Sequence, residues 1–376
     1  MGRQRNQGTR RCRGERQLAP ADRASWNGAA AAKSNDSGRL GGAARARDLQ
    51  LRRRARVNAE PNPAHDEFRH EALLYRGLAD FVDRTVPFIR GGLEAGESVA
   101  VVTSAKHIDA LRRELGSDAG VVAFADIAVI GANPARIIPF WQDFIATQDG
   151  RPLRGIGEPI WAGRSAAELV ECQRHESLLN VAIDTETPIW LLCPYDATCL
   201  DPEIIDEARH SHPHVTAGPP ATASREPQRK SEVFRGVRAS GMPFATPLPD
   251  PPSEATVLRF GSGDLAVVRG IVAASAASAG LDAHRADDLV VAAHEIATNS
   301  VRHGGGAGVL KVWPEDGQLI CDFNDAGHID DPLADRRQPS STAAGGRGLW
   351  LANQLCDLVQ IRSHPSGTQI RLHVRG

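Results

Sequence analysis

Three short polar motifs close this chain in a fixed order: HEIATNSVRHGG (His294 to Gly305), FNDAGHIDDP (Phe323 to Pro332) and GGRGLWLANQLCD (Gly345 to Asp357). Between 281 and 303 the pattern is helical, so Glu295, Asn299 and His303 recur four residues apart and share one helix face. A carboxylate beside an amide oxygen on such a face suits a hard cation and the phosphate it neutralises. Asp325 ends an apolar strand-like run (Leu319, Ile320, Phe323), where its carboxylate can accept a hydrogen bond from an exocyclic amine such as that of adenine. Gly345, Gly346 and Gly348 then open a helix from Leu349 to Cys356, and the freed backbone N–H groups at its start suit phosphate oxygens. The three motifs together describe a nucleotide pocket that needs no P-loop. The stretch GGLEAGES (Gly91 to Ser98) lacks the lysine of a P-loop, which argues against that kind of ATP hydrolysis there.

Order and content of these motifs resemble the N, G1 and G2 boxes of the GHKL ATPase superfamily (gyrase, Hsp90, histidine kinases, MutL), most closely its anti-sigma-factor serine/threonine kinase branch. The resemblance covers residues 253–376 and implies an α/β sandwich that binds ATP and Mg2+ under a flexible lid. It implies Glu295 as the catalytic general base, Asn299 as the Mg2+ ligand and Asp325 as the adenine contact. Gly327, Gly346 and Gly348 match positions of close backbone approach, His303, Arg347 and Leu349 complete the ATP-binding set, and Thr368 in SGTQIRLHV supports the adenine-reading Asp. This chain departs from the family at Ile329, where a second G1 glycine is common, and a β-branched side chain there would narrow the pocket. Residues 331–346 have no hydrophobic period and read as the lid, with Arg336 and Arg337 either closing on phosphate or solvated.

The helix Leu265 to Leu281 resembles the dimer- and partner-contacting first helix of anti-sigma kinases, with Arg269 at a matching position. The implied partners are a sigma factor, an anti-anti-sigma protein of the STAS type and a second copy of the chain through the C-terminal domain. One alternative is a non-catalytic switch in which ATP only orders the lid. A sensor histidine kinase fits worse: residues 216–252 are too proline-rich for a dimeric hairpin, and no histidine lies between His214 and His284.

Upstream, short apolar runs alternate with helical ones. HEALLY precedes a helix Gly77 to Leu93, ESVAVVTS precedes Ala105 to Leu115, and VVAFAD precedes Pro134 to Gln148. GIGEPIW then precedes Ala166 to Ala182, and PIWLLCPYD precedes Pro202 to His210. Such alternation specifies a mostly parallel sheet covered on both faces. Ligands of such sheets bind beyond the C-terminal strand ends, which here carry Tyr75, Thr103, Ser104, Asp126, Glu158, Trp161, Tyr195 and Asp196, the candidate sensory pocket. The phrases HEALLY, GEPIW, SLLN and LLCPYD, the last followed by a DP-initiated helix and H-P, resemble the MEDS domain, a RecA-like sensory module. The expected organisation is a disordered tail 1–64, a MEDS domain 65–215, a linker 216–252 and a GHKL domain 253–376.

The formal net charge of −2 hides an asymmetry, because residues 1–56 hold about fifteen Arg and Lys against four Asp and Glu, leaving the rest near −13. An acidic body argues against direct nucleic-acid binding. Arg exceeds Lys about tenfold, as GC-rich coding produces, so the tail is expected to be translated upstream sequence without structure. No apolar run nears the roughly 18 residues of a membrane span, and six cysteines without a C-x-x-C pair suit a reducing cytoplasm. A metal or thiol site from Cys172, Cys193, Cys199, His175 or the His210, His212, His214 alternation is weighed against core cysteines and surface histidines, and the latter is adopted.

Overall fold

Parallel strands need a crossover between each pair, and the helices expected between the apolar runs supply it. The computed structural model describes residues 67–217, 229–236, 246–339 and 346–376. The basic tail lies outside them, as do residues 218–228 and 237–245 of the expected linker. Strands β1 (Arg69–Tyr75), β2 (Ser98–Thr103), β3 (Ala123–Asp126), β4 (Leu153–Gly157), β5 (Ile189–Asp196) and β6 (His214–Ala217) run parallel in the order β3-β2-β4-β5-β1-β6. A two-residue strand β7 (Arg229–Lys230) adds an antiparallel edge. The segment read as a plain linker therefore contributes the end of β6 and all of β7 to the sheet. Its polar composition hid the ladder because an edge strand buries little.

Helices α1 (Gly77–Ala95) and α2 (Ala105–Leu115) cover one face of this sheet, and α4 (Ile137–Ala146), α5 (Ala166–Ala182) and α6 (Pro202–Ser211) the other, after a single-turn α3 (Ile127–Ile130). Local chemistry sets their ends. Ser165 and Glu168 form a reciprocal capping box that starts α5, and Gly96 in the left-handed region (φ 77°) ends α1. Helix α5 buries polar residues along most of its length, including Glu168, Glu171, Arg174, His175, Glu176 and Asn180. A helix that is buried and polar must find its partners inside the protein.

The C-terminal sheet is wholly antiparallel, in the order β11 (Leu358–His364), β12 (Gly367–Arg375), β10 (Gln318–Asp325), β9 (Ala307–Glu315), β8 (Thr256–Gly261). Helices α7 (Leu265–Ser278), α8 (Ala283–His303) and α9 (Arg347–Leu355) pack on one face through Val268, Ile296 and Ala352 against Phe323 and Leu372. On its other face Asp322 takes Arg371 Nε at 2.9 Å, while Arg371 also donates to the Pro249 carbonyl, so the strip 246–252 is tied to this sheet.

Burial holds the His373 imidazole down at about 4, with Arg371 and Arg375 adding to the effect. A depressed histidine is neutral in the fold and must charge on unfolding, so its share of stability is present above about 6.5 and is lost as pH falls toward 4. About 2 kcal/mol of that share is gone by pH 5. Urea unfolding followed from pH 7 to pH 5 is expected to show this slope in the wild type and a shallower one in His373→Gln.

Candidate nucleotide-binding site

Helix α8 carries Glu295, Asn299 and Ser300 toward the tip of β10, where Asp325 ends the strand. Ser300 Oγ donates to Asp325 Oδ2 at 2.6 Å and the Gly327 amide donates to Oδ1 at 2.8 Å. Each carboxylate oxygen accepts one bond and keeps capacity for another, and Asp325 borders an open cleft beside β8 and β9. Thr368, the register partner of Asp325 across β10 and β12, donates from Oγ1 to the Gly327 carbonyl at 2.8 Å. It therefore steadies Asp325 through the Gly327 peptide. Three glycines make this packing possible. A Cβ on Gly304 would lie 2.4 Å from Asp325 Cγ, one on Gly327 2.8 Å from the His303 carbonyl, and one on Gly367 (φ 144°) 2.2 Å from the Asp325 carbonyl.

Gly348, in the first turn of α9, faces the α8 pair directly: a Cβ there would come within 3.0 Å of Asn299 Nδ2 and 3.1 Å of Glu295 Oε2. Gly346 caps α9 in the left-handed region (φ 81°), leaving the first-turn amides aimed outward. A carboxylate, an amide, a helix N-terminus and a hydrogen-bonded aspartate thus share one corner of the domain. The Glu295 carboxylate, the Asn299 amide and the first-turn amides of α9 are donors and acceptors of the kinds suited to a metal-bound phosphate, and in that chemistry they fit a nucleotide with Mg2+. Arg347 is exposed at the start of α9, Leu349 is half-buried against the core, and His303 is exposed at the end of α8. Ile329 also packs against the core, and its amide donates to Ser363 Oγ at 2.8 Å. Arg269 is exposed on α7, 3.3 Å from His294 Nδ1.

The lid holds the largest surprise. Arg336, expected to close on phosphate or to be solvated, is fully buried, and Leu333 belongs to the hydrophobic core beneath the parallel sheet. Arg336 reaches Glu171 of α5 at 3.4 Å and Asp335 at 3.1 Å, and Arg362 of β11 takes the other Glu171 oxygen at 2.8 Å. Arg337 stays exposed beside Asp331, while residues 340–345 lie outside the described set. The far end of α9 is gripped as well. Arg136 donates to the carbonyls of Asn353 (2.8 Å), Gln354 and Cys356 (both 2.9 Å), a favourable charge at a helix C-terminus. Asn133 donates to Asn353 Oδ1 at 2.9 Å, and Asn353 donates in turn to Asp335. No local pattern announces Asn133, Glu171 or Asn353, because each is defined by a partner far away in sequence.

At the strand ends of the parallel sheet, Tyr75, Thr103 and Glu158 meet. Tyr75 donates to Glu158 Oε1 at 2.6 Å, Thr103 donates to Oε2, and His107, absent from the expected set, lies 2.8 Å from Oε2. Burial raises the Tyr75 phenol well above its usual range, with the Glu158 charge adding to it. The other expected residues serve elsewhere. Ser104 and Asp126 cap α2 and α3, Asp196 holds the amides of Gly77 and Thr198, and Trp161 stacks under Arg164 at 3.7 Å. Tyr195 points into the opposite layer, because strand alternation turns it away from Tyr75. The open cleft at this end is instead lined by Arg76, Asp80, Arg84 and Arg209.

An antiparallel sheet with three helices on one face and this corner between α8, β10 and α9 define a nucleotide-binding ATPase-type domain beside a parallel-sheet α/β domain. Family comparison agrees with both halves. Residues 69–213 match MEDS, the methanogen/methylotroph DcmR sensory domain, and residues 262–374 match the histidine kinase-like ATPase domain. The chain therefore joins a MEDS domain to a histidine kinase-like ATPase domain. Among solved structures it is similar to the crystal structure of the RsbU and RsbW domains of Rv1364c from Mycobacterium tuberculosis. Identity there is 22% with a TM-score of 0.25, over 32% of this chain and 32% of that chain, too partial a likeness to carry an argument. No curated protein matches. Among the described residues, no helix is long and apolar enough to cross a membrane.

Proposed function

We propose that this chain is a cytoplasmic, ATP-dependent serine/threonine protein kinase of the anti-sigma type, whose nucleotide lid is governed by its MEDS domain. The observation that carries the reading is the meeting of Glu295 and Asn299 with the backbone of Gly348 beside a doubly hydrogen-bonded Asp325. ATP with Mg2+ supplies the phosphoryl group and the charge that balances it. Glu295 takes the proton of an incoming Ser or Thr hydroxyl onto its carboxylate, Asn299 offers its amide oxygen to the cation, and Asp325 accepts from the base. The small-residue face of α7, with Val267 48% exposed, suits a second copy, and Arg269 beside it suits a sigma factor or a STAS-type antagonist. Control by the MEDS domain is supported by the burial of Leu333 and Arg336: a signal that shifts α5 also shifts the lid.

Incubating the full chain with γ-labelled ATP and candidate STAS-type proteins tests this. Label on a partner serine is the expected result. Label on a histidine of the chain itself would favour a sensor kinase, and nucleotide binding without transfer a non-catalytic switch. Asn299→Ala is expected to weaken Mg2+-dependent nucleotide binding by roughly 10- to 100-fold in calorimetry while leaving the circular dichroism spectrum unchanged.

A further inference from the structure

Between α5, α6 and the parallel sheet, four side chains from four different elements turn their ligating atoms on one point. They are His70 of β1, Glu176 of α5, Cys193 of β5 and His212 just after α6, all buried, with His Nε2, carboxylate and Sγ atoms within 4.8 Å of one another. His70 Nε2 lies 3.1 Å from Glu176 Oε2 and 3.4 Å from Cys193 Sγ, and His212 Nε2 lies 3.3 Å from the same Oε2. Ligand atoms about a tetrahedral zinc ion, with bonds of roughly 2.0–2.3 Å, are separated by roughly 3.3–3.7 Å.

Proton accounting explains why these four groups need a guest. Asn180 Nδ2 donates to the Ser211 carbonyl at 2.8 Å, which turns its Oδ1 toward His70 Nδ1 at 3.1 Å, so His70 Nδ1 carries the hydrogen. His212 Nδ1 faces the Ala208 carbonyl at 2.8 Å, and a carbonyl only accepts, so His212 Nδ1 carries its hydrogen too. Both Nε2 atoms therefore present lone pairs to a carboxylate, itself an acceptor. The Cys193 thiol brings one hydrogen to a site with three acceptors. His212 Nε2 and Glu176 Oε1 accordingly make no hydrogen bond at all. Buried acceptors facing one another without a donor are costly, and a cation in their midst resolves every one of these contacts. Outer partners on both imidazoles, fixing the tautomer that leaves Nε2 for the metal, are the arrangement that supports metal-bound histidine elsewhere.

We propose that His70, Glu176, Cys193 and His212 form a closed, four-coordinate site for a borderline-soft divalent cation of the zinc class. Two imidazoles, one thiolate and one carboxylate exclude the all-oxygen ions, and four protein ligands with no open position describe a structural rather than a catalytic centre. Loading releases the Cys193 proton to solvent as the thiolate binds. Sequence spacing does not reveal the site, since the ligands are scattered over residues 70–212 and two of them lie within apolar strands.

The test uses the full chain made without a polyhistidine tag. Elemental analysis is expected to find about one zinc per chain as isolated. After chelation, Co2+ is expected to restore one equivalent with a thiolate-to-cobalt charge-transfer band in the near ultraviolet and tetrahedral visible bands. Cys193→Ser should lose the charge-transfer band, whereas Cys172→Ser, a buried cysteine outside the group, and His210→Ala should keep it. Asn180→Leu, which removes the outer partner of His70 together with the bond to the Ser211 carbonyl and leaves all four ligands in place, should weaken Co2+ binding by roughly 10- to 100-fold. If the folded wild type takes up neither zinc nor cobalt, or if the cobalt spectrum is unchanged in Cys193→Ser, the site is overturned and a protonated histidine is what balances Glu176. The wild-type stoichiometry decides the matter even where a variant fails to fold.

Discussion

Glu171→Ala is expected to destabilise the folded chain by about 3–5 kcal/mol, read as a shift in the urea midpoint, because it strands three buried guanidinium groups at once. Glu171 is 1% exposed and receives Arg362 at 2.8 Å, Arg336 at 3.4 Å and Arg174 at 3.5 Å. Asp335 remains to oppose Arg336, yet one carboxylate cannot neutralise three cations in a space that water does not reach. The pairing need not be net stabilising in itself. Replacing Glu171, Arg336 and Arg362 together by methionine is therefore expected to recover most of the lost stability, while losing the specificity with which the lid is held. Limited trypsin digestion separates the two effects. Of the two arginines in the 330–339 segment, Arg336 is sealed in the wild type and Arg337 is open to cleavage, whereas in Glu171→Ala the segment should be cut faster by at least tenfold. An unchanged cleavage rate together with an unchanged urea midpoint would show that Glu171 does not hold the lid.

That interface also marks how far the sequence alone could reach. The start of α6 was legible because its chemistry is local, Asp201 followed by Pro202, and the caps that the fold shows at Ser165 and Glu168 of α5 and at Asp282 of α8 are local in the same way. The alternation of strands and helices gave the parallel sheet, and the three C-terminal motifs hold residues that the fold sets near one another, Glu295 and Asn299 at Gly348 and Asp325 at Ser300, the next residue of α8. What local pattern could not give is any pairing closed across the fold. Ser300, which fixes Asp325, reads as an ordinary helix residue until β10 is laid beside α8. Leu333 reads as a lone apolar side chain in a polar loop until the core beneath the parallel sheet is seen around it. His212 reads as one of three alternating surface histidines, yet the strand that follows α6 turns it fully inward. Polar residues on a buried helix, such as Glu171 and Glu176, carry no periodic signal that separates them from solvated charges.

Glu295→Gln should leave nucleotide affinity within about twofold of the wild type and lower phosphoryl transfer by roughly 10²–10⁴-fold, the span attributed to a general base. Gln keeps the size and shape of the side chain beside Gly348, where a Cβ would come 3.1 Å from Glu295 Oε2, so the close packing against that glycine is preserved. It does not keep a basic oxygen able to take the hydroxyl proton. Asn299, one helical turn on, is untouched by the change, and so is the Ser300 to Asp325 bond that positions the base reader. Binding and transfer should therefore separate, which is the signature of an interaction needed in the transition state rather than in the ground state. Single-turnover transfer to a STAS-type serine, with nucleotide affinity measured alongside by calorimetry, reads both quantities on one preparation. Transfer at the wild-type rate would remove Glu295 from the chemistry and leave it as a spacer against α9. Loss of affinity and transfer together would mean that the carboxylate organises the cation site alongside Asn299 instead of accepting the proton.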